Sequence, residues 1–125
     1  MAIPIPSKLF PIMNEKDPPW RKIATSLDEI SFSPNGLAEI DFNGKTICIA
    51  RHNNMLYACA QKCPHAGGIL SEGYIDALGN IVCPLHHYKY DLRKGRNVSG
   101  EGYRLKTYKV IKREDGWYIE MGIFF

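Results

Sequence analysis

No run of about 18 apolar residues occurs anywhere in this 125-residue chain, so the sequence contains no candidate membrane-spanning helix. Its first residues lack the basic start, apolar core and small-residue cleavage site of a secretory leader, and the expected location is the cytoplasm. A sustained helical period of apolar residues is missing too, as are internal repeats, low-complexity tracts and any phosphate-binding glycine loop. Neither sign of charge is in large excess, the formal net charge being +3, and no recognition helix or aromatic-interleaved basic module speaks for nucleic-acid binding. The length leaves room for one domain of modest core and none for a further catalytic domain, so the expectation is a module that stands alone. Cysteine and histidine are scarce, with four of each. Two disulfides would be one use of four thiols in an oxidising compartment, but spacing suggests a better use for two of them.

What the sequence does have is concentrated in two short loops, Cys63-Pro64-His65 and Cys83-Pro84-Leu85-His86, which together read C-x-H-x17-C-x2-H. Mixed thiolate and imidazole donors hold a soft or borderline metal. Structural zinc sites usually place like ligands close together, C-x2-4-C before H-x3-5-H, whereas each loop here carries one ligand of each type. A cluster of two irons and two sulfides fits that split, since each loop can give a thiolate to one iron and an imidazole to the other. Zinc remains the competing occupant of the same four residues. Cys48 and Cys59 lie inside strand-like runs and read as buried core thiols. His87 follows His86 and could compete with it, but the spacing selects His86; His52 sits in a polar turn and is expected to be solvated.

From Trp20 onward the signals are those of short strands: Trp20 to Ala24, Leu37 to Phe42, Lys45 to Arg51, Met55 to Ala60, Tyr74 to Asp76, Ile81 to Cys83, Tyr88 to Leu92, Leu105 to Ile111 and Trp117 to Met121. Leu27 to Ile30 reads as a turn or a single helical turn. Asn43-Gly44, His52-Asn53-Asn54, Leu78-Gly79-Asn80, Arg93-Lys94-Gly95 and Glu114-Asp115-Gly116 mark the reversals. In the last strand Trp117, Ile119 and Met121 should face inward. Such spacing predicts an all-β fold, an antiparallel β-sandwich or barrel, with the two ligand loops at the tips of neighbouring hairpin-like units. Residues 1–19 differ in kind: five of the eight prolines fall there and no period is present, so they are expected to form an extended arm packed on the domain, residues 20–125.

The pattern resembles the signature of the Rieske family, met at Cys63, His65, Cys83 and His86, with a proline after each cysteine and Gly67-Gly68 behind the first loop. The resemblance covers roughly Trp20 to Met121 and implies a cluster-binding subdomain inserted at about residues 61–88. It also implies one [2Fe–2S] cluster per chain, with one iron held by Cys63 and Cys83 and the other by His65 and His86. Pro64 and Pro84 would stiffen the loops, and Gly67 and Gly68 would let backbone N–H groups approach the sulfides. Such a protein is not an enzyme. It is expected to be a monomeric Rieske ferredoxin carrying one electron at a time from a flavin-containing reductase to a terminal oxygenase or similar enzyme. The alternative is a permanently docked small subunit, like that of assimilatory nitrite reductases, and the arm and the tail Ile123-Phe124-Phe125 could then be interface. Respiratory members carry a disulfide between the loops where Gly68 and Leu85 stand here, and a sulfide-donating serine where Tyr88 stands. With fewer donors the potential is expected near the low end of the Rieske range, roughly −150 mV. Charge is uneven: residues 1–82 carry 7 basic and 8 acidic groups, residues 83–125 carry 9 and 5, and the basic half could steer an acidic redox partner.

Overall fold

The computed structural model describes residues 20–42 and 44–121. The expectations for the arm Met1 to Pro19, for Asn43 and for the tail Ile123-Phe124-Phe125 lie outside the described residues. Ten strands alternate with tight turns: β1 Trp20–Ala24, β2 Leu37–Phe42, β3 Lys45–His52, β4 Met55–Ala60, β5 Tyr74–Ile75, β6 Asn80–Val82, β7 Lys89–Asp91, β8 Thr107–Tyr108, β9 Val110–Arg113 and β10 Gly116–Glu120. Single 3-10 turns at Leu27–Glu29 and Leu70–Glu72 are the only helical pieces among the described residues. The strands form three sheets, ordered β2-β3-β4-β8, β1-β10-β9 and β5-β6-β7, and every pairing is antiparallel. The all-β antiparallel expectation holds.

Turn chemistry sets the register of the central sheet. β3 and β4 are joined by Asn53 and Asn54, whose φ values of 53° and 63° give the twist that a two-residue hairpin needs and that asparagine tolerates. His52 therefore faces Met55 and Cys48 faces Cys59. Alternation along these strands then feeds two separate cores. Ile47, Ile49, Leu56 and Ala58 pack with Ala38, Trp117, Ile119 and Met121 under the β1-β10-β9 sheet. Cys48, Ala50, Cys59 and Leu37 point the other way, into a second core with Leu70, Ile81, Tyr90, Leu92 and Leu105 of the β5-β6-β7 region. Each fully buried isoleucine or leucine in these layers contributes about 1.5–3 kcal/mol of transfer free energy. The inward face expected for Trp117, Ile119 and Met121 and the buried thiols expected for Cys48 and Cys59 are both found.

Two expectations need correction. Leu105 to Ile111 is not one strand: Thr107 and Tyr108 pair with β4, whereas Val110 to Ile111 pair with β10, so the chain changes sheets at Lys109. Tyr108 before the switch and Val110 after it pack on the same core, so the change of partner strand leaves no break in their alternation. His52 is half-buried rather than fully solvated, its ring resting 3.3 Å from where a Cβ on Gly79 would stand.

Gly95 closes the link from β7 towards β8. Its φ is +76°, and a Cβ there would lie 2.0 Å from the Leu105 carbonyl oxygen, a backbone atom that cannot turn aside. Gly44 has a similar φ of +81° with nothing within 4 Å. Gly44→Ala should therefore cost only the left-handed penalty, about 1–2 kcal/mol, and Gly95→Ala at least about 1 kcal/mol more. Urea denaturation of the two variants measures the difference.

Candidate metal centre

The two cysteine-histidine loops are near copies of one another in backbone. In the first, the Cys63 N–H donates to the Gly68 carbonyl at 2.8 Å and the Gly67 N–H donates to the Cys63 carbonyl at 2.9 Å. In the second, the Cys83 N–H donates to the Tyr88 carbonyl and the His87 N–H to the Cys83 carbonyl, both at 2.9 Å. The fifth residue of each loop is left-handed, Gly67 at φ +73° and His87 at φ +63°. The Gly67 N–H is taken up by a carbonyl, and glycine is required there by φ; Gly68 is the residue whose N–H meets no acceptor among the described residues.

Each loop is anchored at its base. Glu39 of β2 accepts from Gln61 Nε2 at 2.6 Å and from Ser71 Oγ at 2.7 Å, and Asn35 Nδ2 donates to the Ser71 and Gly73 carbonyls, tying the first loop to the central sheet. Asp76 organises the turn before the second loop by accepting from the N–H groups of Leu78 and Asn80 at 3.0 Å and from Asn80 Nδ2 at 3.1 Å. Partial burial would raise its carboxyl, but those hydrogen bonds and the nearby Lys89 ammonium hold it below the usual carboxylate range.

The structure pairs the donors expected from spacing, the thiols within the second core and the imidazoles at the tip. The Cys63 and Cys83 thiols are 2% and 1% exposed within the second core. Burial pushes the Cys83 thiol up and Cys63 beside it pushes the same way, while the backbone N–H groups of Leu85 and His86 oppose both by favouring a thiolate. His65 and His86 face each other with their Nδ1 atoms 3.4 Å apart. Two nitrogens bound to one tetrahedral metal at about 2.1 Å each stand about 3.4 Å from one another, so the imidazole pair fits a shared metal ion. Gly68 keeps the space between the loops open, since a Cβ there would stand 2.7 Å from Cys83 Sγ and 3.1 Å from Leu85 Cβ.

Three tyrosines surround the donors, and of these Tyr90 and Tyr103 escaped the sequence reading. Tyr90 is fully buried with its hydroxyl 3.3 Å from Cys63 Sγ, and burial followed by that sulfur contact pushes its phenol far above the usual range. Tyr88 stacks on His65 at 4.1 Å and 26°. Tyr103 reaches the same imidazole at 5.4 Å from a third loop, residues 97–103, which Asn97 Nδ2 and Ser99 Oγ tie to the Lys89 backbone. Tyr90 read only as one apolar position in an alternating strand, and Tyr103 is distant in sequence from either motif.

A domain of antiparallel sheets ending in two mirrored loops, each with one thiol and one imidazole, defines a class of cluster-bearing electron-transfer domain. A family model described as Rieske [2Fe–2S] domain matches residues 21–109, and the chain belongs to that family, whose cofactor is a [2Fe–2S] cluster. The chain is 30% identical over 74 residues to the 3-phenylpropionate/cinnamic acid dioxygenase ferredoxin subunit of Photorhabdus laumondii, covering 58% of this chain and 70% of that one. It is 31% identical over 116 residues to the cytochrome b6-f complex iron-sulfur subunit of Chlorobaculum thiosulfatiphilum, covering 87% of this chain and 62% of that one. Among solved structures, the ferredoxin of carbazole 1,9a-dioxygenase from Nocardioides aromaticivorans superposes with a TM-score of 0.68 at 25% identity, over 82% of this chain and 97% of that one.

His87 carries a side chain in a conformation that glycine serves in the other loop. His87→Gly should therefore leave stability unchanged or raise it by up to about 1 kcal/mol, with His87→Ala close to wild type. Thermal unfolding of the three proteins tests this, and a loss in the glycine variant would show that the His87 side chain supports the loop.

Proposed function

We propose that Cys63 and Cys83 hold one iron of the cluster and that His65 and His86, through Nδ1, hold the other, making this chain a one-electron carrier rather than a catalyst. The observation that carries the reading is the 3.4 Å approach of the two imidazole nitrogens across mirrored loops whose thiols lie together in the core. The bound cluster supplies a one-electron couple. The chain does the rest: it buries the thiolate side and leaves His86 exposed and His65 half-exposed, so electrons would exchange through the imidazole edge. Neutral imidazoles leave the cluster two negative charges lighter than four thiolates would, which favours reduction.

The partners we propose are a flavin-containing reductase and a terminal oxygenase, and the reading is of a monomer in the cytoplasm. It draws support from the relatives named as dioxygenase ferredoxin components and from the absence, among the described residues, of a helix long and apolar enough to cross a membrane. The relative from a cytochrome complex suggests a respiratory subunit instead. The carrier reading is favoured by Gly68 and Leu85, which face each other where the respiratory members place their bridging cysteines.

Purified protein should contain two irons and two acid-labile sulfides per chain. His86→Ala should abolish the visible spectrum of the cluster and His87→Ala should preserve it. One iron, zinc without sulfide, or the reverse behaviour of the two variants would sink the ligand assignment.

Tyr90 generates a further prediction. A metal-bound Cys63 thiolate carries no proton, so the Tyr90 hydroxyl donates to it, and that bond stabilises the more negative, reduced state. A net hydrogen bond of about 1 kcal/mol corresponds to about 40 mV for one electron, and Tyr90→Phe should lower the midpoint by that order. Voltammetry of both proteins measures it, with the wild type expected at roughly −150 mV.

A further inference from the structure

Between Lys89 and Lys109 the chain carries seven basic and two acidic residues. The fold lays this segment along one side of the molecule, from β7 past the His65 tip and back to β4. Both acidic groups are engaged there. Asp91 accepts from the backbone N–H groups of Lys94 and Arg96 and lies 3.9 Å from Arg96 Nε, and Glu101 accepts from Asn97 Nδ2 at 2.9 Å. Arg93, Lys94, Arg104 and Lys106 are exposed and have no carboxylate partner among the described residues. An antiparallel bridge joins Arg96 to Arg104, so the cations form one continuous strip and not two separate groups.

The strip has relief as well as charge. One cleft of about 650 Å³ is lined by Arg93, Arg96 and Val98, and another of about 410 Å³ by Lys94, Arg104 and Lys106. Val98 is 50% exposed and Tyr103 42% exposed within the same stretch, so apolar anchors are set among the cations, as in a protein interface of polar rim and apolar centre. Tyr103 places one end of the strip against His65. A surface for nucleic acid would need a groove-entering element or free aromatic faces for stacking, and Tyr103 already faces imidazole and Tyr88.

We infer that the strip from Arg93 to Lys106 is the docking face for the acidic surface of a redox partner protein, held so that the partner's own redox group comes to rest beside His65. The inference rests on the carrier reading above and adds the charge and the position of the partner's surface. Like-signed charges at this density repel a basic partner and accelerate an acidic one, and both effects fade as salt shortens the Debye length.

Stopped-flow electron transfer with cluster-loaded protein tests it, using two probes: a flavodoxin hydroquinone of net negative charge as donor and the basic cytochrome c as acceptor. The flavodoxin rate should fall at least about tenfold between about 10 and 200 mM salt, and the cytochrome rate should rise or stay flat. Lys94→Glu/Arg104→Glu/Lys106→Glu should cut the flavodoxin rate by about tenfold at low salt and converge with wild type at high salt, its visible spectrum being unchanged. The same charge change on the far sheet, Arg21→Glu/Lys22→Glu/Lys112→Glu, should leave that rate within about twofold, which separates a docking face from a net-charge effect. Electron transfer that ignores both salt and the strip substitutions, or responds equally to the far-sheet set, overturns the docking face and leaves the carrier reading standing. No transfer with either probe at any salt overturns both. Binding to duplex DNA or to phosphatidylglycerol vesicles that is tighter than to flavodoxin at about 150 mM salt also overturns the proposal, in favour of that anionic partner.

Discussion

The structure depends on the burial of one strand on both faces. Ile47, Cys48, Ile49 and Ala50 are all fully buried, so the middle of β3 shows water no side and must be covered twice. The β1-β10-β9 sheet provides one cover and the β5-β6-β7 region provides the other. Cys63 and Cys83 belong to that second buried layer with Cys48, Cys59 and Tyr90. Packing thus fixes these two thiols as it would fix any small apolar side chain. The imidazoles are different: they project from the loops, and the mirrored backbone hydrogen bonds bring them together.

That difference explains which features of the site the sequence displays. The ligand pattern is local, two donors two or three residues apart in each loop, and so survives in a linear reading. Turn residues are equally local, and Asn53-Asn54, Gly79, Gly95 and Gly116 all adopt the positive φ that their types suggest. The switch of sheets at Lys109 was not legible, because Tyr108 and Val110 on either side of it pack on the same core and keep one alternation. The surroundings of the donors were not legible either. Tyr90 meets Cys63 across 27 residues and Tyr103 meets His65 across 38, and no periodicity connects such pairs.

The loops also show where the backbone is made to bear strain. Gly67 and His87 occupy the same left-handed position, yet only the first is glycine. A histidine there costs about 1–2 kcal/mol relative to a relaxed conformation, and the carbonyl of Cys83 holds it in place by accepting the His87 N–H. Gly68 answers a different need. Its φ is not in the left-handed region, but any side chain would intrude on Cys83 Sγ and Leu85. One glycine serves a torsion and its neighbour serves a void, which is why a Gly-Gly pair reads as a single feature in sequence and as two in the fold.

Charge and contact are separated in space at the working end. Pro64, Pro84 and Leu85 around the tip carry no charge, and Leu85 is 50% exposed beside the imidazoles. The cations lie to one side, along the connection from β7 to β8. Long-range attraction acts over a Debye length of about 8–10 Å in physiological salt and governs how often partners meet. Apolar contact acts only after desolvation and governs how closely they sit. A carrier that must bind, exchange one electron and leave gains from keeping these apart. Placing the unpaired cations at the tip itself would add an electrostatic grip where the electron crosses, and would slow release more than it speeds encounter. An apolar tip beside a cationic flank instead gives fast arrival and short residence, the kinetic pattern that a shuttle between two proteins requires.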